Sequence, residues 1–258
     1  MKIIALVKEV PDTYGDRKLD LETGLADRGA SESVIDEIGE RALEAALKHA
    51  DSASDVEVVV VTVGPATATA SIRKALAIGG HRAVHVVDEA LQGADLGLTS
   101  EVLAAAIRRE GFDLVIAGNS STDGSGGVMA SMLAEHLGVP LASGLSSVEI
   151  GAAEVSGTRI VDAGVQTVQA ALPAVISITE ALPEARFPNF KGIMAAKKKP
   201  VDVISLAELE VAADDPATAR TIMLTVSEKP PRDAGVKIVD EGDAGEKLAA
   251  YLIEHRLA

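Results

Sequence analysis

The sequence predicts an α/β fold built on a doubly wound, mostly parallel sheet. Three observations carry this. Short, near-continuous apolar runs alternate with amphipathic stretches four times within about the first 145 residues. Those runs have no polar alternation, as expected of strands covered on both faces. The 47 % of hydrophobic residues is almost wholly aliphatic, with two Tyr, three Phe and no Trp. Strand then helix, repeated, means parallel strands joined by right-handed crossovers.

The predicted strands fall at residues 3–7, 56–63, 83–87 and 114–117. Between them, Ile38, Ala42, Leu43, Ala46, Leu47 and Ala50 share one helical face, as do Ile72, Ala75 and Leu76. Val102, Leu103, Ala106 and Ile107 repeat the pattern, and Met129, Met132, Leu133, His136 and Leu137 do so again. After Pro140 the pattern changes. Residues 147–150 and 159–161, with Gly151 and Gly157 between them, read as a hairpin, and 166–171 lead through Pro173 into a buried strand at 175–179. These late strands are expected to complete the same sheet. From Pro200 the chain alternates extended stretches, 201–204 and 221–226, with Pro230-Pro231 and a helix near 246–255. The expected organisation is therefore a domain over 1–199 and an arm over 200–258 that packs on another chain.

Composition excludes several classes of function. A formal charge of −15 argues against a whole-surface nucleic-acid binder, because phosphate neutralisation needs a basic footprint. Without Cys there is no disulfide, thiolate nucleophile, iron–sulfur cluster or Cys zinc site. His49, His81, His85, His136 and His255 are scattered and form no ligand-spaced pair, and His85 and His136 read as structural residues. No serine has a nearby base in sequence, so a nucleophilic serine finds no support. The chain opens on strand-like residues rather than a signal peptide, and no apolar run approaches the ~20 residues that span a bilayer. A soluble, cytoplasmic protein without direct membrane insertion is expected.

In an open parallel sheet, ligands bind where strand ends lead into helix starts. Four such places stand out: Lys8-Glu9-Val10-Pro11-Asp12 after the first strand, the helix start Asp36-Glu37-Ile38-Gly39, Gly64-Pro65-Ala66-Thr67 after the second strand, and Gly118-Asn119-Ser120-Ser121-Thr122-Asp123-Gly124-Ser125-Gly126-Gly127, followed by an amphipathic helix. In that loop, glycines allow close backbone approach and free N–H groups at the following helix attract a phosphate. It is neither G-x-G-x-x-G nor a P-loop, and an ordinary β–α loop can share its composition. Asp123 suits a ribose hydroxyl or an adenine amine rather than a phosphate. A second feature runs from Arg186 to Lys199, with five cations, no acid, and two of the three Phe. Cationic runs are commonly solvated faces. Aromatic and Met side chains beside the cations point instead to partner anchors.

Val7-Lys8-Glu9-Val10-Pro11-Asp12, Gly64-Pro65, Ile72-Arg73-Lys74-Ala75-Leu76-Ala77, Ser121-Thr122-Asp123-Gly124, Leu172-Pro173-Ala174-Val175, Ala234-Gly235-Val236-Lys237 and above all Phe190-Lys191-Gly192-Ile193-Met194-Ala195-Ala196-Lys197-Lys198-Lys199 resemble the electron transfer flavoprotein beta subunits. The resemblance runs nearly end to end. It implies a nucleotide-binding-like domain of the adenine nucleotide alpha-hydrolase type and a heterodimer with an alpha subunit that holds FAD. It further implies a structural AMP in this chain, at Leu6, at Asp36, Glu37, Ile38 and Gly39, at Val63, and at Gly118, Asn119, Ser120, Ser121, Thr122, Asp123, Gly124, Ser125, Gly126, Gly127 and Val128. Arg186, Phe190, Ile193, Met194, Lys197, Lys198 and Lys199 would dock acyl-CoA dehydrogenases and other flavin dehydrogenases, with Phe190 in the anchoring position. Electrons would pass on to a membrane quinone oxidoreductase, the subunit making no bonds itself. The family often has Asn-Glu-Pro-Arg where this chain reads Pro183-Glu184-Ala185-Arg186, and losing that proline is expected to loosen the segment. Some relatives hold a second, bifurcating FAD in place of AMP. A nucleotide-binding regulatory module of universal-stress type would share the fold, but needs neither the 193–199 run nor the long tail.

Overall fold

The computed structural model describes residues 1–15 and 17–257. Its elements are β1 (Lys2–Leu6), β2 (Glu9–Pro11), β3 (Ser33–Ile35), α1 (Glu37–Ser52), β4 (Glu57–Val63), α2 (Thr69–Ile78), β5 (Arg82–Val86), α3 (Leu96–Glu110), β6 (Leu114–Gly118), α4 (Met129–Leu137), β7 (Leu141–Ile150), β8 (Glu154–Val161), β9 (Gly164–Ala171), β10 (Ala174–Ile178), α5 (Phe190–Ala196), β11 (Val201–Ile204), α6 (Leu206–Leu209) and α7 (Ala244–Glu254). The main sheet has nine strands in the order β11-β5-β4-β1-β6-β10-β7-β8-β9. Pairing is parallel from β11 to β7 and antiparallel from β7 through β8 to β9. The predicted α/β class and mostly parallel sheet are therefore observed, with the late strands completing the same sheet.

The continuous apolar runs follow from this layering. Ile3, Val58, Val60, Leu114 and Ile116 point into one core with α1 and α2, which contribute Leu43, Leu47, Ile72 and Leu76. Ile4, Val59, Val61 and Val115 point the other way, into a second core with Val102, Ile107 and Leu133 of α3 and α4. Neither face of the central strands meets water, so neither register of the alternation can be polar. Each such side chain contributes about 1.5–3 kcal/mol by its burial.

Three local expectations change. Gly157 lies inside β8 rather than at the hairpin turn; an added Cβ would stand 2.1 Å from the Ser147 carbonyl oxygen. His136, expected in the core or at its boundary, is exposed, and its Nε2 meets Ser100 Oγ at 3.1 Å. The stretch expected to open the arm belongs to the main domain: β11 pairs with β5, and Ile204, Leu206 and Leu209 enter the second core. The chain divides into two compact units, Met1–Leu224 and Thr225–Ala258. The second holds α7, which has no buried residue and leaves Leu248 and Ile253 exposed.

Candidate functional site

The crossovers bring three of the four predicted segments into contact at the carboxyl end of the sheet. Gly39, in the first turn of α1, sits so close to β1 that a Cβ there would lie 3.3 Å from Val7 Cα and 3.5 Å from the Leu6 carbonyl oxygen. Gly118 ends β6 against Ile38, whose Cγ2 would stand 2.6 Å from a Cβ. A side chain at position 118 would force Ile38 to shift, and one at position 39 would push the β1 backbone by a few tenths of an ångström. Asp36, only 2 % exposed, precedes α1 and ties it to the glycine-rich loop: its Oδ2 accepts from Thr122 N at 2.8 Å and from Thr122 Oγ1 at 3.3 Å. Its Oδ1 is buried with no donor, and burial raises its pKa. Val63 ends β4 at the same edge of the sheet, next to β1, but no hydrogen bond joins it to the loop.

The loop itself is shaped by backbone. Asn119 N donates to the Ile178 carbonyl at 2.8 Å, and Ser125 N to that of Ser121 at 3.0 Å. Ser125 and Gly127 have φ of 51° and 67°. Val128 precedes α4 without a side-chain cap, so the first N–H groups of that helix are left to another acceptor. That is an anion-compatible geometry.

Asp123 is differently placed from expectation. Its Oδ1 accepts from Lys8 Nζ at 2.7 Å and from Gly124 N at 2.6 Å, while Oδ2 pairs with Arg28 at 3.2 Å. Burial pushes this carboxyl up, but the Lys8 bond and charge, with the Ser121 and Gly124 bonds, outweigh it and hold the pKa at about 2. Both oxygens face cations before any ligand is considered. Arg17 also reaches this turn, donating to the Thr122 carbonyl. Lys8, Arg17 and Arg28 therefore gather at the mouth of an acidic protein, and sequence reading missed the two arginines. Lys8 sat in a strand-end segment and was legible. Arg17 and Arg28 lie far along the β2–β3 connection, with no local signal.

The Arg186–Lys199 segment divides in two. Phe187 is 93 % exposed and Phe190 79 %, with Ile193, Met194, Lys197 and Lys198 also exposed. Arg186 and Lys199, by contrast, turn inward. Arg186 donates through Nε and Nη2 to Glu44 at 2.8 and 2.9 Å and meets Asp51 at 2.8 Å; these bonds raise its pKa. Lys199 Nζ donates to the Leu76, Gly79 and Gly80 carbonyls at 2.9, 3.3 and 2.6 Å, closing the end of α2, and burial lowers its pKa. Neither is a free docking cation. Arg186 also answers the loosening expected from Ala185, since ion pairs fix the segment where proline does not.

An expected result separates the lysines. Lys199→Gln removes charge-assisted bonds worth about 1.5–3 kcal/mol and lowers Tm by several degrees, roughly 2–4 °C per kcal/mol for a chain of this size. The Lys197→Gln, Lys198→Gln double variant keeps the parent Tm. Thermal melts followed by circular dichroism check both.

Among the described residues no group of three or more His, Asp or Glu can hold a metal ion. No helix among them is long and apolar enough to cross a membrane. Compared with known families, the chain matches the model described as "Electron transfer flavoprotein domain" over residues 23–209. It is 45 % identical to the electron transfer flavoprotein subunit beta of Mycobacterium leprae (strain TN), covering 99 % of this chain and 98 % of that protein. The corresponding subunit of Syntrophomonas wolfei is 35 % identical, over 98 % and 96 %. The Caffeyl-CoA reductase-Etf complex subunit CarD of Acetobacterium woodii is 32 % identical, over 79 % and 78 %.

Proposed function

Because this chain belongs to the electron transfer flavoprotein beta subunits, we propose that it binds one structural AMP at the Leu6, 36–39 and 118–128 mouth. In a heterodimer it helps to enclose an FAD held mainly by an alpha subunit. FAD, when bound, supplies the electron-carrying chemistry. This chain's part is to bind, position and dock, with no bond-making catalysis of its own. The regulatory-module alternative falls with the family.

One observation carries the nucleotide reading: a buried Asp36 oxygen without a donor stands beside a glycine-rich loop that opens onto the uncapped start of α4. The helix start suits a phosphate, and Asp36 Oδ1 suits a hydroxyl or amine of the nucleoside. Lys8, Arg17 and Arg28 supply positive charge at the same rim. The exposed half of the 187–198 segment presents an aromatic and Met surface beside Lys197 and Lys198 to acyl-CoA dehydrogenases and other flavin dehydrogenases. Electrons then pass to a membrane quinone oxidoreductase that meets the complex from the cytoplasmic side. The Thr225–Ala258 unit, with its apolar side chains exposed on α7, packs on the alpha subunit.

Mass identification of the nucleotides released on denaturing the purified heterodimer tests this. One AMP and one FAD per heterodimer is the expected result, and the isolated chain should retain AMP and little flavin. Two FAD and no AMP would place a second flavin in the pocket and overturn the AMP assignment.

A further inference from the structure

The 187–198 segment offers apolar side chains to solvent, yet both its ends are fixed by charged groups from neighbouring helices. At its start Glu44, 5 % exposed on α1, accepts from Arg186 N at 3.1 Å as well as from two guanidinium nitrogens. A buried carboxylate with three donors from one residue sets both the position and the direction of the chain that follows. At its end Arg73 of α2 donates to the Ala196 and Lys199 carbonyls, both at 2.8 Å. Between them α5 lies against α2 so closely that a Cβ on Gly192 would stand 2.6 Å from the Ala77 carbonyl oxygen. None of these groups belongs to the nucleotide mouth.

We infer that Glu44 and Arg73 are positioning residues for docking: they clamp the two ends of the segment so that Phe190, Ile193 and Met194 are presented already ordered to a dehydrogenase. The inference rests on the docking reading of that segment. Its physical basis is preorganisation. A surface ordered before contact does not lose its conformational freedom at the moment of binding, and loosening it moves that loss into the affinity.

The test uses the flavin-loaded heterodimer as electron acceptor. An acyl-CoA dehydrogenase reduced by its acyl-CoA passes electrons to the heterodimer, and bleaching of dichlorophenolindophenol reports turnover. Glu44→Gln and Arg73→Gln should each raise the KM for the heterodimer about tenfold, with kcat within twofold of the parent. Hydrogen exchange of the 187–198 peptide should quicken, while flavin absorbance per heterodimer stays unchanged. Arg186→Lys keeps the charge but lacks the two-pronged guanidinium, so it should not restore the parent KM. If Glu44→Gln fails to fold, Arg73→Gln with Asp51→Asn carries the same test. Faster exchange with an unchanged KM would overturn the clamp, as would a loss confined to flavin content. Phe190→Ala separates the two claims. If it too leaves KM at the parent value, the docking reading itself fails; if it alone raises KM, only the clamp does.

Discussion

Replacing Phe190 by Ala should weaken the encounter with an acyl-CoA dehydrogenase about thirtyfold, at low and high salt alike. Phe190 opens α5 and is 79 % exposed, so most of its ring is open to a partner. Truncating an anchor at the centre of an interface costs at least ~2 kcal/mol, which is roughly thirtyfold. The helix does not suffer, because Ala is the better helix former and Asn189 still caps it by accepting from Gly192 N at 2.8 Å. Lys197 and Lys198 give the contrasting result. As exposed charges they would steer an acidic partner, and steering fades as the Debye length falls from ~10 Å at 0.1 M salt to ~3 Å at 1 M. Their replacement by Gln should therefore lower the rate mainly at low salt. Dye-linked turnover across a salt series checks both, with flavin spectrum and AMP content unchanged. Parent turnover in Phe190→Ala would remove the docking assignment.

The second large effect is expected at Asp123. Asp123→Ala deletes the acceptor of Lys8 and the partner of Arg28, leaving both cations at the mouth without their counter-charge. Those bonds tie the 118–128 turn to the rim, and a hydrogen bond to a charged group contributes about 1.5–3 kcal/mol. The loosened loop should outweigh the attraction of the freed cations for phosphate, so AMP retention should fall roughly ten- to hundredfold. Assembly with the alpha subunit should weaken with it. Equilibrium dialysis with radiolabelled AMP reads the change; unchanged occupancy would refute it.

The same residue gives a pH signature. Its folded pKa of about 2 lies below the ordinary 3.8, so the folded state favours the ionised form. The resulting stabilisation is present above pH 3.8 and disappears as pH falls through about 2. The shift corresponds to roughly 1–2 kcal/mol after allowing for the solvent screening of half-exposed Lys8 and Arg28. The Tm gap between the parent and Asp123→Asn should thus be constant from pH 5 to 7 and close in acid.

Much of the candidate site was legible because it is local. A glycine-rich run after a strand, and an acid at a helix start, announce themselves within ten residues. Gly118 and Asp36 fall where such signals place them. The role of Asp123 was not legible, because its partners Lys8 and Arg28 lie 115 and 95 residues away in sequence. Arg186 misled for the same reason. In sequence it heads a cationic run, and only folding brings it onto Glu44, 142 residues away. Glu44 itself carried a faint signal, a carboxylate at the margin of the apolar stripe of α1.

The sequence by itself determined the α/β class, the parallel core and the family, since apolar periodicity and contiguous motifs are properties of neighbours along the chain. The tertiary structure decided which charges face outward. It turned Arg186 and Lys199 into internal ties, left Phe190 and Lys197 on the surface, and surrounded Asp123 with cations. It also moved residues 201–209 from the expected arm into the sheet and its second core. The physical reason is common to all of these. An ion pair or a carbonyl bond depends on distance in space, and a charged side chain carries the same letter whether it meets water or a buried partner.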